Sequence, residues 1–406
     1  MSFTNLPPEL QEAIICSLYP RDLSRLCLVS KSLLHLCRPF LYRSLSLDFE
    51  LWESRKEDSE DEIAINSMEA DEAKEWMQDA RRWWEREQSR QLALSRVFKA
   101  HPEWVRYVRE LEVTVDRNLG GGPADRLLPT LPNLETLTVK HYRPGTLDEE
   151  NRRALILDIP STVTHLDLIE APFQDEDLPL LLSKLPNLRT FACKLEEEIN
   201  IADVLKLPPL DKLQSLQFRN CPLDRPSFST FISSSRLTSL DIDFRSIPSF
   251  SLDTLSNLKE LSLSASTCPL RRERPSTFVA QLVDFLRGCR ALVSLEIHSC
   301  DYEESHAMFR EFERAKILHQ IPSIPRRLVL CSFGLNTSYL YDYLSTIPSH
   351  HLHLTLSYLV KKGEQESGLD ENRYKPLERD EEAKGKMEQF CEKGNIALEW
   401  VNDVPG

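Results

Sequence analysis

The histidines that could ligate a metal ion are concentrated in the segment SHHLHLTL, which contains His350, His351 and His353. Structural zinc sites combine four His or Cys ligands, but this segment has no cysteine beside it. Two of the three histidines alternate with the period of a strand. The sequence therefore favours a polar strand face over a metal site, and we expect no metal ion and no cofactor.

Paired carboxylates can act as general acid and base, and Asp241 and Asp243 share one face of a predicted strand. Alternation places any two polar residues of a strand in this way, so the pair alone does not indicate catalysis. The glycine run 120–122 precedes Pro123 rather than a helix start, and none of the patterns GxxxxGKS/T, GxGxxG, HExxH and GxSxG occurs. We expect that the protein is not an enzyme.

Charge and cysteine usage exclude further classes of protein. The 406 residues include 50 Lys and Arg against 64 Asp and Glu, a formal net charge of −14, which argues against nucleic-acid binding. No apolar run approaches the roughly 18 residues of a membrane span, and the N-terminal residues lack the pattern of a signal peptide. The ten cysteines form no CxxC pair. We therefore expect a soluble protein of the cytoplasm, the nucleus or both, with reduced thiols and no membrane contact.

Leucine supplies 65 of the 406 residues and recurs from residue 108 in the pattern L-x-x-L-x-L. The separations between successive instances run from 21 to 34 residues, and most fall within the 20–29 residue period of leucine-rich repeats. The x-L-x-L part has the period of a strand whose leucines point inward. The central apolar residues are Leu111, Leu137, Leu166, Phe191, Leu216, Leu240, Leu261 and Leu295, with weaker instances at Leu328 and Leu354.

Segments between these strands carry apolar residues at steps of three and four, which predicts return helices. They include PLLLSKLPN, PSFSTFISSSR and STFVAQLVDFLRGCR, and the strand NIALEWV is expected to close the array. The fold class is therefore α/β, with a repeat solenoid that places a parallel sheet on its concave face.

Residues 6–47 are rich in apolar side chains and predict three short helices. We expect Pro20 to separate the first two, Asp22 to cap the second, and the third to begin at Ser30 or Lys31. A unit of this size has little interior, so much of its apolar surface should stay exposed. This predicts a module that binds a protein partner.

The stretch LPPELQEAIICSLYPRDLSRLCLVSKSLLHLC resembles an F-box, with its LPxE opening, a Pro and an Asp-Leu between helices, and the LVSK segment. Together with the repeats, the chain resembles F-box proteins with leucine-rich repeats of the fungal type, and HPEWVRYVRELEV is similar to the lead-in to their first repeat. The resemblance implies that the F-box docks on the Skp adaptor of an SCF-type cullin–RING ubiquitin ligase. It also implies that the repeats hold a protein substrate.

The resemblance carries over a set of residues that face the adaptor or support that interface. These are Leu6, Pro7, Leu10, Ile14, Leu26, Leu28, Val29 and Ser30. The alternative for each of them is that it only packs the three helices together. At the level of function, the alternative is a leucine-rich-repeat scaffold that binds the adaptor without directing ubiquitination.

The distribution of leucine divides the chain into three regions. Residues 1–48 form the F-box helical module, 49–88 an acidic insertion with a connecting helix, and 89–406 the repeat solenoid with its C-terminal cap. The insertion includes a run at 53–75 with a net charge of −7, which is typical of a solvated segment.

Strand alternation assigns the residues between the leucines to the concave face, where a substrate would bind. The candidates are Lys140, His165, Asp167, Lys194, Gln217, Arg219, Asp241, Asp243, Glu260 and Glu296. The three cations lie on earlier strands than the last four carboxylates, so we expect the charge of this face to change sign along the chain. The repeats are uneven and drift after Ile297, so no substrate region carries over from the resemblance.

Overall fold

Three consecutive helices begin the computed structural model. Helix α1 spans Pro8–Cys16, α2 spans Pro20–Val29 and α3 spans Lys31–Leu41. The residues that the structure describes are 3, 6–47, 89, 92–115, 127–141, 149–169, 177–194, 210–219, 236–243, 255–265, 275–299, 312, 314–322, 324–331, 337–347, 352–359 and 381–403.

Proline starts the first two helices, because its fixed φ suits the first helical position and that position needs no N–H donor. The prediction that Asp22 caps α2 is wrong. Tyr19 occupies the N-cap position without a side-chain capping hydrogen bond, and Asp22 lies in the first turn, near the positive end of the helix dipole. The predicted start of α3 is confirmed, since Ser30 Oγ accepts a hydrogen bond from Leu33 N at 3.2 Å.

The chain divides into two units, residues 1–188 and residues 189–406. In the first unit four parallel strands follow each other in chain order. They are β1 (Ser44–Leu47), β2 (Glu110–Val115), β3 (Thr136–His141) and β4 (His165–Ile169). Strand β1 was not predicted; it pairs with β2 and places Leu45 opposite Leu111.

The described residues of the second unit form eight parallel strands, also in chain order. They are β5 (Thr190–Lys194), β6 (Ser215–Arg219), β7 (Ser239–Asp243), β8 (Glu260–Ala265), β9 (Ser294–Ser299), β10 (Arg327–Cys331), β11 (His353–Leu359) and β12 (Ala397–Asp403). The last of these contains five of the seven residues of the predicted closing segment NIALEWV, and it pairs with β11 along seven residues.

Return segments between strands contain α4 (Glu149–Asp158), α5 (Asp177–Ser183), α6 (Pro275–Gly288), α7 (Thr337–Ser345) and α8 (Glu381–Gly394). Short 3-10 turns lie at Trp104–Tyr107, Leu128–Thr130 and Ile317–Gln320. Residues 92–100 are helical and precede the first repeat. Two predicted return helices are confirmed by α5 and α6. The third, PSFSTFISSSR, lies outside the described residues except for its last residue, Arg236.

The repeat alignment deduced from the sequence is confirmed by the strand register. Leu111, Leu137 and Leu166 stand opposite one another in the first unit. In the second unit the same row continues in register as Phe191, Leu216, Leu240, Leu261, Leu295, Leu328 and Leu354. All of these side chains are at most 2% exposed. The structure is therefore a leucine-rich-repeat fold, in which each repeat buries its leucines against those of the neighbouring repeats.

A buried ion pair joins two return helices of the first unit. Arg152 Nε of α4 lies 2.6 Å from Asp177 Oδ2 of α5, and both side chains are almost fully buried. Buried charges are tolerated when they are paired, and removal of one partner leaves the other charge uncompensated. This pair fixes how α4 and α5 face each other.

The register makes a prediction about stability. Leu240→Ala, in the middle of the second unit, should lower the free energy of unfolding by about 3 kcal/mol, because the cavity can collapse only partially. The control is Ser239→Ala, the neighbouring residue on the other face of β7, which should cost less than about 0.5 kcal/mol. Urea denaturation followed by circular dichroism measures both. Equal effects of the two variants would contradict the inward orientation of the leucines.

Candidate functional site

The three N-terminal helices share a small core. Ile15, Leu23 and Cys37, one from each helix, are buried. Phe3 and further partly buried apolar residues between Leu18 and Leu41 pack against them. So few fully buried side chains cannot cover the apolar surface of three helices. The remainder of that surface faces outward.

Exposed apolar side chains are concentrated on α1, α2 and their junction. Leu10 is 52% exposed and Ile14 is 41% exposed; they are four residues apart and therefore lie on one face of α1. At the end of α2, Leu28 is 87% exposed and Val29 is 70% exposed. Exposed apolar side chains of this size are typical of protein-interaction surfaces.

The structure separates the predicted adaptor-facing residues by their surroundings. Leu10, Ile14, Leu28, Val29 and Pro7 are exposed. The other three have local roles, although Ser30 is exposed as well. Leu26 packs against the helical core, the backbone oxygen of Leu6 accepts a hydrogen bond from Gln11 Nε2 at 2.7 Å, and Ser30 caps α3.

Sequence analysis missed one exposed apolar residue of this module. Tyr19, at the junction of α1 and α2, is 78% exposed. Its position directly before Pro20 is the signal that could have identified it, because the residue before a proline leaves the helical conformation and projects from the junction.

Two cysteines of this module have raised pKa values. Burial raises the pKa of both Cys27 and Cys37, which hydrogen-bond to each other. Burial also raises the pKa of Cys289, in the second unit, to about 12. The six cysteines whose side chains the structure describes are free.

An aromatic cluster connects α3 to the lead-in of the first repeat. The guanidinium of Arg38 lies 4.3 Å from the ring centroid of Trp104, and the Tyr42 ring stacks on Trp104 at 5.4 Å. Tyr42 also meets Phe98 edge-on at 5.9 Å, and His101 stacks on the same tryptophan at 4.0 Å. Cation–π and stacking contacts in a partly buried site are worth about 1 kcal/mol each, so this cluster ties the helical module to the repeats.

The predicted substrate-facing residues lie on the strands, and those whose side chains are described lie on the face opposite the leucines. In the first unit Lys140 Nζ forms an ion pair with Glu112 Oε1 at 2.8 Å, so its charge is already compensated. His165 is exposed, with Nδ1 2.8 Å from Thr164 Oγ1, and Asp167 is half-buried in register with Thr138.

The second unit carries the remaining candidates. Gln217 Nε2 donates to Asp241 Oδ2 at 2.8 Å across β6 and β7. Lys194 and Glu260 are exposed. Arg219 and Asp243 lie at strand positions whose side chains are not among those described. The predicted change of charge along this face stays a prediction, and the pairing of Lys140 reduces its basic part.

Glu296 is the centre of a charged group on β9 and β10. Its carboxylate accepts a hydrogen bond from Arg327 and lies 3.4 Å from His298 Nε2. The hydrogen bond from His298 and the positive charge of Arg327 hold the pKa of Glu296 below its usual range, against the opposing effect of burial.

Of the three histidines in the segment SHHLHLTL, His353 is the one that lies within the described residues. This side chain lies on β11, exposed, with Nε2 3.9 Å from Glu399 Oε2. His350 and His351 lie outside the described residues. Throughout the described ranges, no group of three His, Cys, Asp or Glu side chains is placed to hold a metal ion. No described helix has the length and apolar character needed to cross a bilayer.

The chain is similar to solved leucine-rich-repeat structures at low identity. One is the leucine-rich repeat-containing protein LegL7 from Legionella pneumophila, with 16% identity and a TM-score of 0.37 over 62% of this chain and 75% of that chain. Another is an internalin, InlF, from Listeria monocytogenes, with 15% identity and a TM-score of 0.20 over 57% and 75%. No protein-family model and no curated protein matches the sequence. The fold assignment therefore rests on the strand register of this chain.

The charged group at Glu296 predicts a pH dependence of stability. Because its pKa is lower in the folded state, the group stabilises the fold above the usual titration range of glutamate, and this contribution is lost as the pH falls through the lowered pKa. The difference in unfolding free energy between wild type and Glu296→Gln should therefore shrink between about pH 6 and about pH 3. Urea titrations at a series of pH values measure it.

The matched control is Glu392→Gln, which changes an exposed carboxylate near the end of α8. Its difference from wild type should stay small at every pH. A gap for Glu296→Gln that is independent of pH would contradict the role assigned to the carboxylate.

Proposed function

We propose that this protein is the substrate-recognition subunit of an SCF-type cullin–RING ubiquitin ligase. In this proposal the module of residues 1–48 docks on the Skp adaptor, and the repeats of residues 89–406 bind a protein substrate. One observation carries the proposal: the segment that resembles an F-box exposes large apolar side chains on two of its helices.

The energetics of those side chains support the proposed docking on the adaptor. Leu28 is 87% exposed in the isolated chain, and burying such a leucine on a partner contributes about 2 kcal/mol. Leu10, Ile14 and Val29 add further exposed area on the same module. A small number of well-buried apolar anchors accounts for most of the affinity of a typical protein interface.

Ubiquitin transfer would require no reactive group from this chain. A receptor that holds a substrate lysine near the charged conjugating enzyme raises its effective concentration, and the chemistry takes place on the other subunits. This mechanism is consistent with the absence of the common nucleotide, hydrolase and metalloprotease patterns from the sequence.

The alternative is a repeat scaffold that binds the adaptor or another helical partner without directing ubiquitination. The exposed apolar side chains of the helices support this alternative equally, because they indicate that a partner docks and do not indicate whether ubiquitin transfer follows. The two functions therefore differ in what assembles around the adaptor and in whether the bound protein is modified.

A double variant tests adaptor docking. Leu10→Asp/Leu28→Asp should weaken binding to purified Skp adaptor at least about a hundredfold, because two buried charges replace two apolar anchors. Leu157→Asp/Leu180→Asp changes two exposed leucines on α4 and α5 and should bind like wild type. Circular dichroism must show both variants folded. Wild-type affinity of the first variant would refute the F-box assignment.

Reconstitution separates the receptor from the scaffold. The chain is mixed with the Skp adaptor, cullin and RING subunits, and the proteins that co-purify with it are assayed for ubiquitin transfer. The proposal predicts that at least one captured protein is ubiquitinated, and that the Leu10→Asp/Leu28→Asp variant abolishes this modification. Assembly with the adaptor but without cullin and RING, or without any modified protein, would favour the scaffold.

A further inference from the structure

The turns that lead into six successive strands of the second unit each carry a cation. The residues, called the basic rim below, are Arg189, Lys212, Arg236, Lys259, Arg290 and Arg326, which precede β5, β6, β7, β8, β9 and β10 in that order. Because parallel strands all begin at the same edge of a sheet, the six turns share that edge. No strand between β5 and β10 lacks a rim residue.

Backbone hydrogen bonds hold these turns side by side. Gln214 N donates to Arg189 O at 2.8 Å, and Lys259 N donates to Thr238 O at 2.8 Å. Val293 N donates in turn to Lys259 O, and Arg326 N to Val293 O, both at 2.7 Å. Neighbouring strands are about 4.8 Å apart, so six turns span about 24 Å along the edge of the sheet. The spacing of the cations is therefore set by the sheet.

The basic rim is exposed and mostly uncompensated. All six side chains are exposed. Of the six, Arg189, Arg236, Lys259, Arg290 and Arg326 form no ion pair with another residue that the structure describes. In contrast, Arg327, which lies on the strand face one residue beyond the rim, is paired with Glu296.

Charge is segregated to this edge. The turns 186–190, 210–215, 236–239, 255–260, 290–294 and 324–327 together contain seven Lys and Arg against Asp211 and Glu260. The whole chain has a net charge of −14. A local excess of cations on an acidic protein produces a field that attracts an anionic segment to one place on the surface.

We propose that the basic rim binds an acidic, extended segment of a partner protein. An extended chain advances about 3.3 Å per residue, so about seven residues span the rim. Asp and Glu side chains on such a segment can each meet a cation along the row. The match of charge determines where and in which register the segment lies, more than it determines affinity.

The chemistry of the rim favours a peptide over a nucleic acid. The six turns contain no Phe, Tyr or Trp, so they offer no platform on which bases could stack. A long polyanion would also be repelled by the acidic remainder of the chain, whereas a short acidic segment meets the rim alone.

The inference names a chemical class of substrate, and in that sense it rests on the proposed function. As a binding surface it is independent of the adaptor, because the basic rim belongs to the second unit and the exposed helices to the first. The two are therefore tested by different measurements on the same variant.

The probe is a fluorescein-labelled peptide of five Glu-Ser pairs, and binding to the full-length chain is followed by fluorescence anisotropy at about 50 mM salt. Wild type should bind, and binding should weaken as salt is raised. Lys259→Glu/Arg326→Glu should weaken binding at least about tenfold, since each substitution replaces attraction by repulsion. The control, Arg287→Glu/Lys393→Glu, makes the same charge change on α6 and α8 and should stay within about twofold of wild type.

Three results would overturn the inference: no binding by wild type, equal loss in the rim and control variants, or binding of a ten-nucleotide polyuridylate as tight as that of the peptide. The rim variant should also retain wild-type affinity for the Skp adaptor. Loss of peptide binding with adaptor binding intact supports the rim whatever the outcome for the ligase. Loss of both peptide binding and adaptor binding would indicate that the rim variant is unfolded, which circular dichroism reports. In that case Lys259→Gln/Arg326→Gln replaces the charge-reversed variant, and its affinity for the peptide should fall about threefold.

Discussion

Lateral burial of one row of apolar residues is the constraint on which the rest of the structure depends. A single repeat offers a short strand with two inward side chains and cannot bury them alone. When Leu216, Leu240 and Leu261 stand opposite one another, each excludes water from the next. The register is therefore strict even though the connections between strands vary in length, because a shift by one residue would turn every leucine outward.

The same constraint decides where charge can lie. Inward positions on the strands accept only apolar groups, so the polar residues of the strands are confined to the opposite face and to the edges of the sheet. On the strand face, charged groups have partners on neighbouring strands: Glu296 pairs with Arg327, and Asp241 accepts a hydrogen bond from Gln217. At the edge, the side chains of the turns extend away from the sheet into solvent. The position of the basic rim therefore follows from the repetition of the strands, and its charge follows from the residues in the turns.

The N-terminal helices combine a small core with exposed apolar side chains. Their core contains three fully buried side chains, and the chain leaves Leu10, Ile14 and Leu28 in solvent. That arrangement costs solubility in the free protein and is consistent with a module that completes its core on a partner. The cluster around Trp104 and the pairing of β1 with β2 attach the module to the first repeat, so a partner bound to the helices would be held at a fixed place on the first unit.

The sequence by itself determined the repeat register, the three helices and the apolar character of the N-terminal module. These features depend on local periodicity, in which the spacing of leucines along the chain directly reports which side of a strand or helix they occupy. The tertiary structure alone decided which polar residues are compensated. Glu112, the partner of Lys140, is 28 positions away, and Arg327, the partner of Glu296, is 31 positions away. It also decided that Leu26 packs inward while Leu28 stays exposed, and that residues 44–47 form a strand, because burial depends on which segments meet in space and periodicity carries no information about that.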